Sequence, residues 1–184
     1  MSKSLTALVT TATLAYPLAI YFGLGHAEPK WMALALVALA AARAWTTRQP
    51  LWLAAGAGAA LLGLASWLGN AWLPLKLYPA LVNAVLLAVF ALSLLRPPSI
   101  VERLARLTEP DLPPAGVAYT RGVTQVWCAF FVVNGTLALA TALWASAELW
   151  ALYNGLVAYG LMGLLFSIEW LVRQRVKARG VLHG

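Results

Sequence analysis

Charge is scarce in this chain: only 10% of its residues are Asp, Glu, Lys or Arg, and just six are acidic. With 62% of residues apolar, a soluble domain of this length would lack the polar surface to cover itself, which excludes an ordinary aqueous globule. Cysteine occurs once, as Cys128 within an apolar run, and that excludes an intrachain disulfide framework and a cysteine-built metal site. We read Cys128 as a small packing residue. Histidine occurs twice, as His26 and His183, both outside the apolar runs. Acyl or phosphoryl transfer needs a positioned base or metal ligands, so the sequence argues against an enzyme, and it carries no cofactor or metal fingerprint. His26, Glu28 and Glu148, with Lys30, could bind a metal or relay a proton. Their spacing matches no ligand pattern, and a solvated rim is the simpler reading. Long polar intervals are missing too. The longest, residues 96–119, has 24 residues, against the ~50 an independent core requires.

What the chain has instead is six apolar runs, near residues 4–24, 29–46, 51–68, 75–95, 120–143 and 149–171. A helix crosses the hydrocarbon with roughly 20 apolar residues. The second run reaches that length by taking in Pro29 and Lys30 at one end and Trp45 and Thr46 at the other. The expected fold is therefore all-α, a polytopic membrane bundle of six transmembrane helices forming one domain over residues 1–184. Lys3, the first run and Gly25-His26-Ala27 have the outline of a signal peptide. The run is too long for one and carries Tyr16-Pro17, so it is read as a retained first span.

Eleven of the 13 basic residues fall on one side of this arrangement: Lys3, Arg43, Arg48, Arg96, Arg103, Arg106, Arg121, Arg173, Arg175, Lys177 and Arg179. Lysine and arginine resist translocation, which predicts a multi-pass membrane protein with both termini cytoplasmic. Trp31, Trp45, Trp52, Trp67, Trp72, Trp144, Trp150 and Trp170 lie at or near run ends, where indoles favour the interface; Trp127 is deeper. The net charge of +7 fits topology and anionic-lipid attraction, and no nucleic-acid module is visible.

Polar residues inside the runs are few. At a rise of about 1.5 Å per residue, Asn83, Asn134 and Asn154 sit about 12, 14 and 8 Å below the outer ends of their spans, with Tyr16 at a similar depth. They could line a small polar substrate site, or they could bond helix to helix and fix packing. Glu169, followed by Arg173 at i+4, predicts a helical ion pair, although an ionisable residue in a span is also a functional candidate. Gly56, Gly58 and Gly63 in the third run, and Gly155, Gly160 and Gly163 in the sixth, favour close helix approach. Tyr16-Pro17 and Tyr78-Pro79 hint at an inverted repeat, but nothing else aligns.

Between the fourth and fifth runs, Pro97-Pro98 stops one helix and Ser99 with Glu102 has capping-box spacing for another. This short helix is expected to be amphipathic and cytoplasmic. Ile100, Val101, Leu104 and Leu107 would face the membrane, and Glu102, Arg103 and Arg106 would face water. The stretch from Arg96 through Leu107, with Leu112-Pro113-Pro114, Tyr119-Thr120-Arg121, Val126-Trp127-Cys128 and Asn134-Gly135, resembles a family of small bacterial inner-membrane proteins. Their genes accompany acyl carrier proteins and ketosynthases in aryl-polyene or xanthomonadin-like clusters. The resemblance implies a neighbourhood, with no catalytic residues to carry over.

Two functions follow as expectations. One is a non-catalytic membrane component that docks or handles lipid or polyene acyl intermediates, recruiting an acidic acyl carrier protein through Arg96, Arg103, Arg106, Arg121 and Arg173, whose planar forks suit carboxylates and phosphates. The other is a small lipid or metabolite transporter or flippase with its polar site at Asn83, Asn134, Asn154 and Tyr16.

Overall fold

The computed structural model describes residues 16–23, 26, 28–47 and 50–178, and among them every regular element is a helix. The apolar run before Tyr16, Arg48, Arg179 and His183 lie outside the described residues. Three helical stretches are long and apolar enough to cross a membrane: Tyr78–Leu95, Pro114–Trp144 and Ala147–Val176. They mark the chain as a multi-pass membrane protein. Before them come Tyr16–Gly23 (α1), Pro29–Thr47 (α2), Pro50–Gly69 (α3) and the single turn Leu73–Lys76 (α4). The described apolar parts of α2 and α3, Pro29–Ala42 and Gly56–Gly69, are shorter than the spanning stretches.

Proline and serine set the ends that hydropathy misplaces. The fourth span begins at Tyr78 (α5, Tyr78–Leu95), three residues later than expected, because Pro79 lacks the amide that would bond the Leu75 carbonyl and join α4 and α5 into one regular helix. The fifth (α7, Pro114–Trp144) starts six residues early, with proline at its first position, where no amide is missed. Ser146 caps the last helix by accepting from the Leu149 amide at 3.3 Å. That helix runs as Ala147–Leu152 (α8), a π-turn at Tyr153–Val157, and Ala158–Ala178 (α9).

Packing divides the chain into two compact units, Met1–Val85 with Asn134–Tyr159, and Leu86–Val133 with Gly160–Gly184. In the first unit α2 and α3 lie along each other. Gly63 permits the approach: a Cβ there would stand 2.6 Å from Val37 and 3.3 Å from the Ala33 carbonyl oxygen. The glycines of the last helix behave differently, since Gly160 and Gly163 face open space. After α3 the chain turns through Asn70 at φ 44°, a left-handed position asparagine tolerates, while the Ala71 amide bonds back to the Ser66 carbonyl. Ile20, Leu75 and Trp150, all fully buried, centre this unit's core. Trp150 is thus an interior residue, not the interfacial one its place at a run end predicts.

In the second unit Phe90, Trp127, Phe130, Phe131 and Phe166 form an aromatic cluster with ring centroids 4.6 to 6.5 Å apart. The loop helix forms as expected (α6, Ile100–Ala105), with the Ser99 hydroxyl accepting from the Glu102 amide at 3.3 Å. Only half of the capping box is made, because the Glu102 carboxylate bonds Arg106 instead. One side chain departs from the expectation: Glu102, expected to face water, is buried with Ala105, while Arg103, Leu104 and Leu107 are exposed. Where lipid replaces water, leucine gains little from turning inward, and the buried serine contacts decide. Ser93 donates to the Phe90 carbonyl and accepts from the Ile100 amide at 3.0 Å, tying α6 to the end of α5.

Candidate functional site

The polar residues of the first unit are assembled into closed contacts. Tyr153 donates to Asn134 Oδ1 at 2.8 Å, Asn134 Nδ2 donates to Asn83 Oδ1 at 3.0 Å, and Asn83 Nδ2 donates to the Pro79 carbonyl at 2.9 Å. Each link in this relay supplies what the next requires, and both asparagines are buried. Gly135 lets α7 close on it, since a Cβ there would meet Asn83 Cβ at 3.0 Å. Asn154 is held apart from the relay, donating to Thr141 Oγ1 at 3.2 Å and to the Trp150 carbonyl at 2.9 Å. In a regular helix, neighbours such as Tyr153 and Asn154 point in different directions. The wider π-turn that contains them lets both reach α7.

Tyr16 has a different task. Pro79 cannot donate to the Leu75 carbonyl one turn back, and the Tyr16 hydroxyl fills that vacancy at 3.2 Å. The next carbonyl, that of Lys76, accepts from Trp150 Nε1 at 3.1 Å. The rings of Tyr16 and Tyr78 meet edge to face at 4.8 Å. The two Tyr-Pro pairs of the sequence therefore share one corner. Of the four residues read as a substrate site, Asn83 and Asn134 are brought together, whereas Asn154 and Tyr16 serve separate packing contacts.

The second unit holds a cavity of about 400 Å³. Its walls include Leu86 and Phe90 of α5, Trp127 and Phe131 of α7, and Met162 and Phe166 of α9; Val101 and Ala105 of α6 also border it. Its polar lining gathers at one end. Tyr119 lies three turns from Phe131 along α7, about 18 Å, and Arg173 about 16 Å from Met162 along α9. The two helices run antiparallel here, as the pairings Tyr119 with Glu169 and Trp127 with Phe166 require. The Tyr119 hydroxyl reaches the Glu169 carboxylate at 3.4 Å and its backbone carbonyl at 3.5 Å, both long for hydroxyl bonds. Arg173 pairs with Glu109 at 3.9 Å. The expected Glu169–Arg173 pair does not form, because Tyr119 and Glu109 present nearer partners across the fold. A more open groove of about 520 Å³ lies beside α7 and α9, and Tyr119, Val123, Trp127 and Glu169 border both spaces.

The arginines read as a partner surface differ in freedom. Arg106 is tied to Glu102 and to the Pro110 carbonyl. Arg103 and Arg121 are exposed and each donates to one backbone carbonyl, of Pro98 and Leu94 respectively. A guanidinium has five N–H donors, so most of theirs face outward. Arg96 is exposed, with no polar side-chain contact among the described residues. Among the described residues no three His, Cys, Asp or Glu side chains gather as a metal site. Glu28 pairs with Lys30, and His26 and Glu148 are exposed.

Tyr153, Glu109 and the phenylalanine walls were not singled out from sequence, and Tyr119 and Trp127 stood out there only through the resemblance and the depth of Trp127, not as site residues. One signal was present: Thr120, Thr124, Trp127, Phe131, Asn134, Ala138 and Ala142, all buried, recur every three or four residues along α7. That stripe links the deep Trp127 to Asn134. The chain matches no known protein family, no curated protein and no solved structure.

Proposed function

We propose that this chain is a non-catalytic component of the bacterial inner membrane that holds the apolar chain of a lipid or polyene acyl intermediate. Its basic cytoplasmic face recruits an acidic acyl carrier protein. The observation that carries this reading is the cavity of the second unit, about 400 Å³, with aromatic and aliphatic walls and hydrogen-bonding groups at one end. Its size is within the range of small-molecule sites, and its lining suits a hydrocarbon chain with a polar head. The reading includes six crossings with both termini in the cytoplasm. That topology puts the cavity's charged end and the outward donors of Arg96, Arg103 and Arg121 on the same side of the membrane. Transport through Asn83, Asn134, Asn154 and Tyr16 has less support, because their polar groups already bond one another or nearby backbone.

An acidic acyl carrier protein loaded with a photoactivatable chain tests the reading on the protein in nanodiscs. Crosslinks should map to the peptide holding Trp127 and Phe131, and Val101→Trp, which fills the cavity, should remove them. Carrier affinity should fall about tenfold with added salt, and similarly in the Arg96→Glu, Arg103→Glu double variant. Salt-independent binding, or crosslinks that ignore Val101→Trp, would defeat it. Reporter fusions at each terminus check the topology.

A further inference from the structure

The lining of the cavity stops at an apolar residue on each of its three long helices: Leu86 on α5, Phe131 on α7 and Met162 on α9. Phe131 is buried, with the rings of Phe90 and Trp127 centred 5.1 and 5.7 Å from its own. These residues make a floor without a polar side chain, and Tyr119, Glu169 and Arg173 stand at the opposite end. Along the helices that distance is about 16 to 18 Å. A volume of about 400 Å³ spread over such a length has a mean cross-section of about 22 to 25 Å². An extended alkyl chain, in carbon–carbon contact with its walls at about 4 Å, fills about 20 Å². The bore is one chain wide. The open groove beside α7 and α9 borders neither Leu86, Phe131 nor Met162, so it adds no room at the floor.

We infer that the cavity measures chain length, admitting one chain of up to about 14 carbons, since each extended carbon advances about 1.3 Å. Leu86, Phe131 and Met162 set the limit, and the head stays at the Tyr119 end, where the polar partners are. The inference rests on the cavity being a chain site and specifies which chains it holds. A longer chain has to double back in a bore too narrow for two strands, or push packed side chains off their contacts. A shorter one only leaves the floor unfilled.

Competition for the cavity, on the full chain in one detergent, tests this. Methyl myristate carrying a diazirine labels the Trp127 to Phe131 peptide, and plain methyl decanoate, methyl myristate and methyl stearate compete at equal mole fractions in the micelle. The ten- and fourteen-carbon esters should displace the label, and the eighteen-carbon ester about tenfold less well. Phe131→Ala lowers the floor and should restore displacement by methyl stearate. Leu86→Trp raises it, and methyl myristate should then compete poorly while methyl decanoate still competes; this variant decides alone if Phe131→Ala fails to fold. Micelle partitioning is the same for every protein and cannot move the limit. Methyl stearate competing as well as methyl myristate in the wild type overturns the inference while leaving the chain site standing, as does a limit that Leu86→Trp leaves in place. Absence of any labelling of the cavity peptide overturns the chain site and the inference together.

Discussion

The two units handle their polar groups in opposite ways. In the first, Asn83, Asn134 and Tyr153 are bonded in series at 2.8 to 3.0 Å and end on a backbone carbonyl. In the second, the Tyr119 hydroxyl stands 3.4 to 3.5 Å from Glu169, and Arg173 stands 3.9 Å from Glu109, beside an open volume. Short, saturated bonds hold helices together and leave nothing to offer a ligand. Stretched ones beside a cavity can be exchanged for a ligand's groups at small cost. The presence of polar residues in a span is thus a weaker sign of a site than the state of their hydrogen bonds.

Four substitutions would break or sharpen that contrast. Trp127→Ala removes the largest wall of the cavity and should cost about 3 kcal/mol in denaturation, at the low end for a buried aromatic because part of the ring already faces a void. It should also weaken chain binding. Gly63→Val, in the tight α2 and α3 contact, should cost about 1 to 3 kcal/mol by overpacking against Val37 and the Ala33 carbonyl, with chain binding intact. Asn134→Ala leaves Asn83 Oδ1 and the Tyr153 hydroxyl without their partner and should cost about 1 to 2 kcal/mol. Tyr153→Phe removes only the first link and should cost about 0.6 kcal/mol. Measured side by side with Val101→Trp, the relay variants should lower stability and spare crosslinking, while Val101→Trp should do the reverse. Loss of chain binding in Asn134→Ala at preserved stability would erase the distinction between the units.

The long helices were legible because length and hydropathy act locally; their ends were not, wherever proline intervened, as at Tyr78 and Pro114. The Ser99 cap was legible for the same local reason. The burial of Glu102 was not, because it follows from its pairing with Arg106 and from the Ser93 bond that ties α6 to α5. Depth brought Asn83 and Asn134 together on paper, since rise per residue is fixed. Azimuth did not follow, and Asn154 needed a π-turn that no residue pattern announces. The cavity was the least visible feature. It is the space left by five separate segments of packing, although the buried stripe along α7 placed Trp127 and Phe131 on the face that borders it.

The corner between α4 and α5 ties events far apart in synthesis. Its Leu75 carbonyl is served by Tyr16, made 59 residues earlier, and its Lys76 carbonyl by Trp150, made 74 residues later. A nascent chain that stops short of Trp150 has formed the bend with that oxygen still lacking its indole donor. Assembly of the middle of this protein is therefore finished by its final helix, and a membrane protease that inspects exposed backbone would find the truncated product before the complete one.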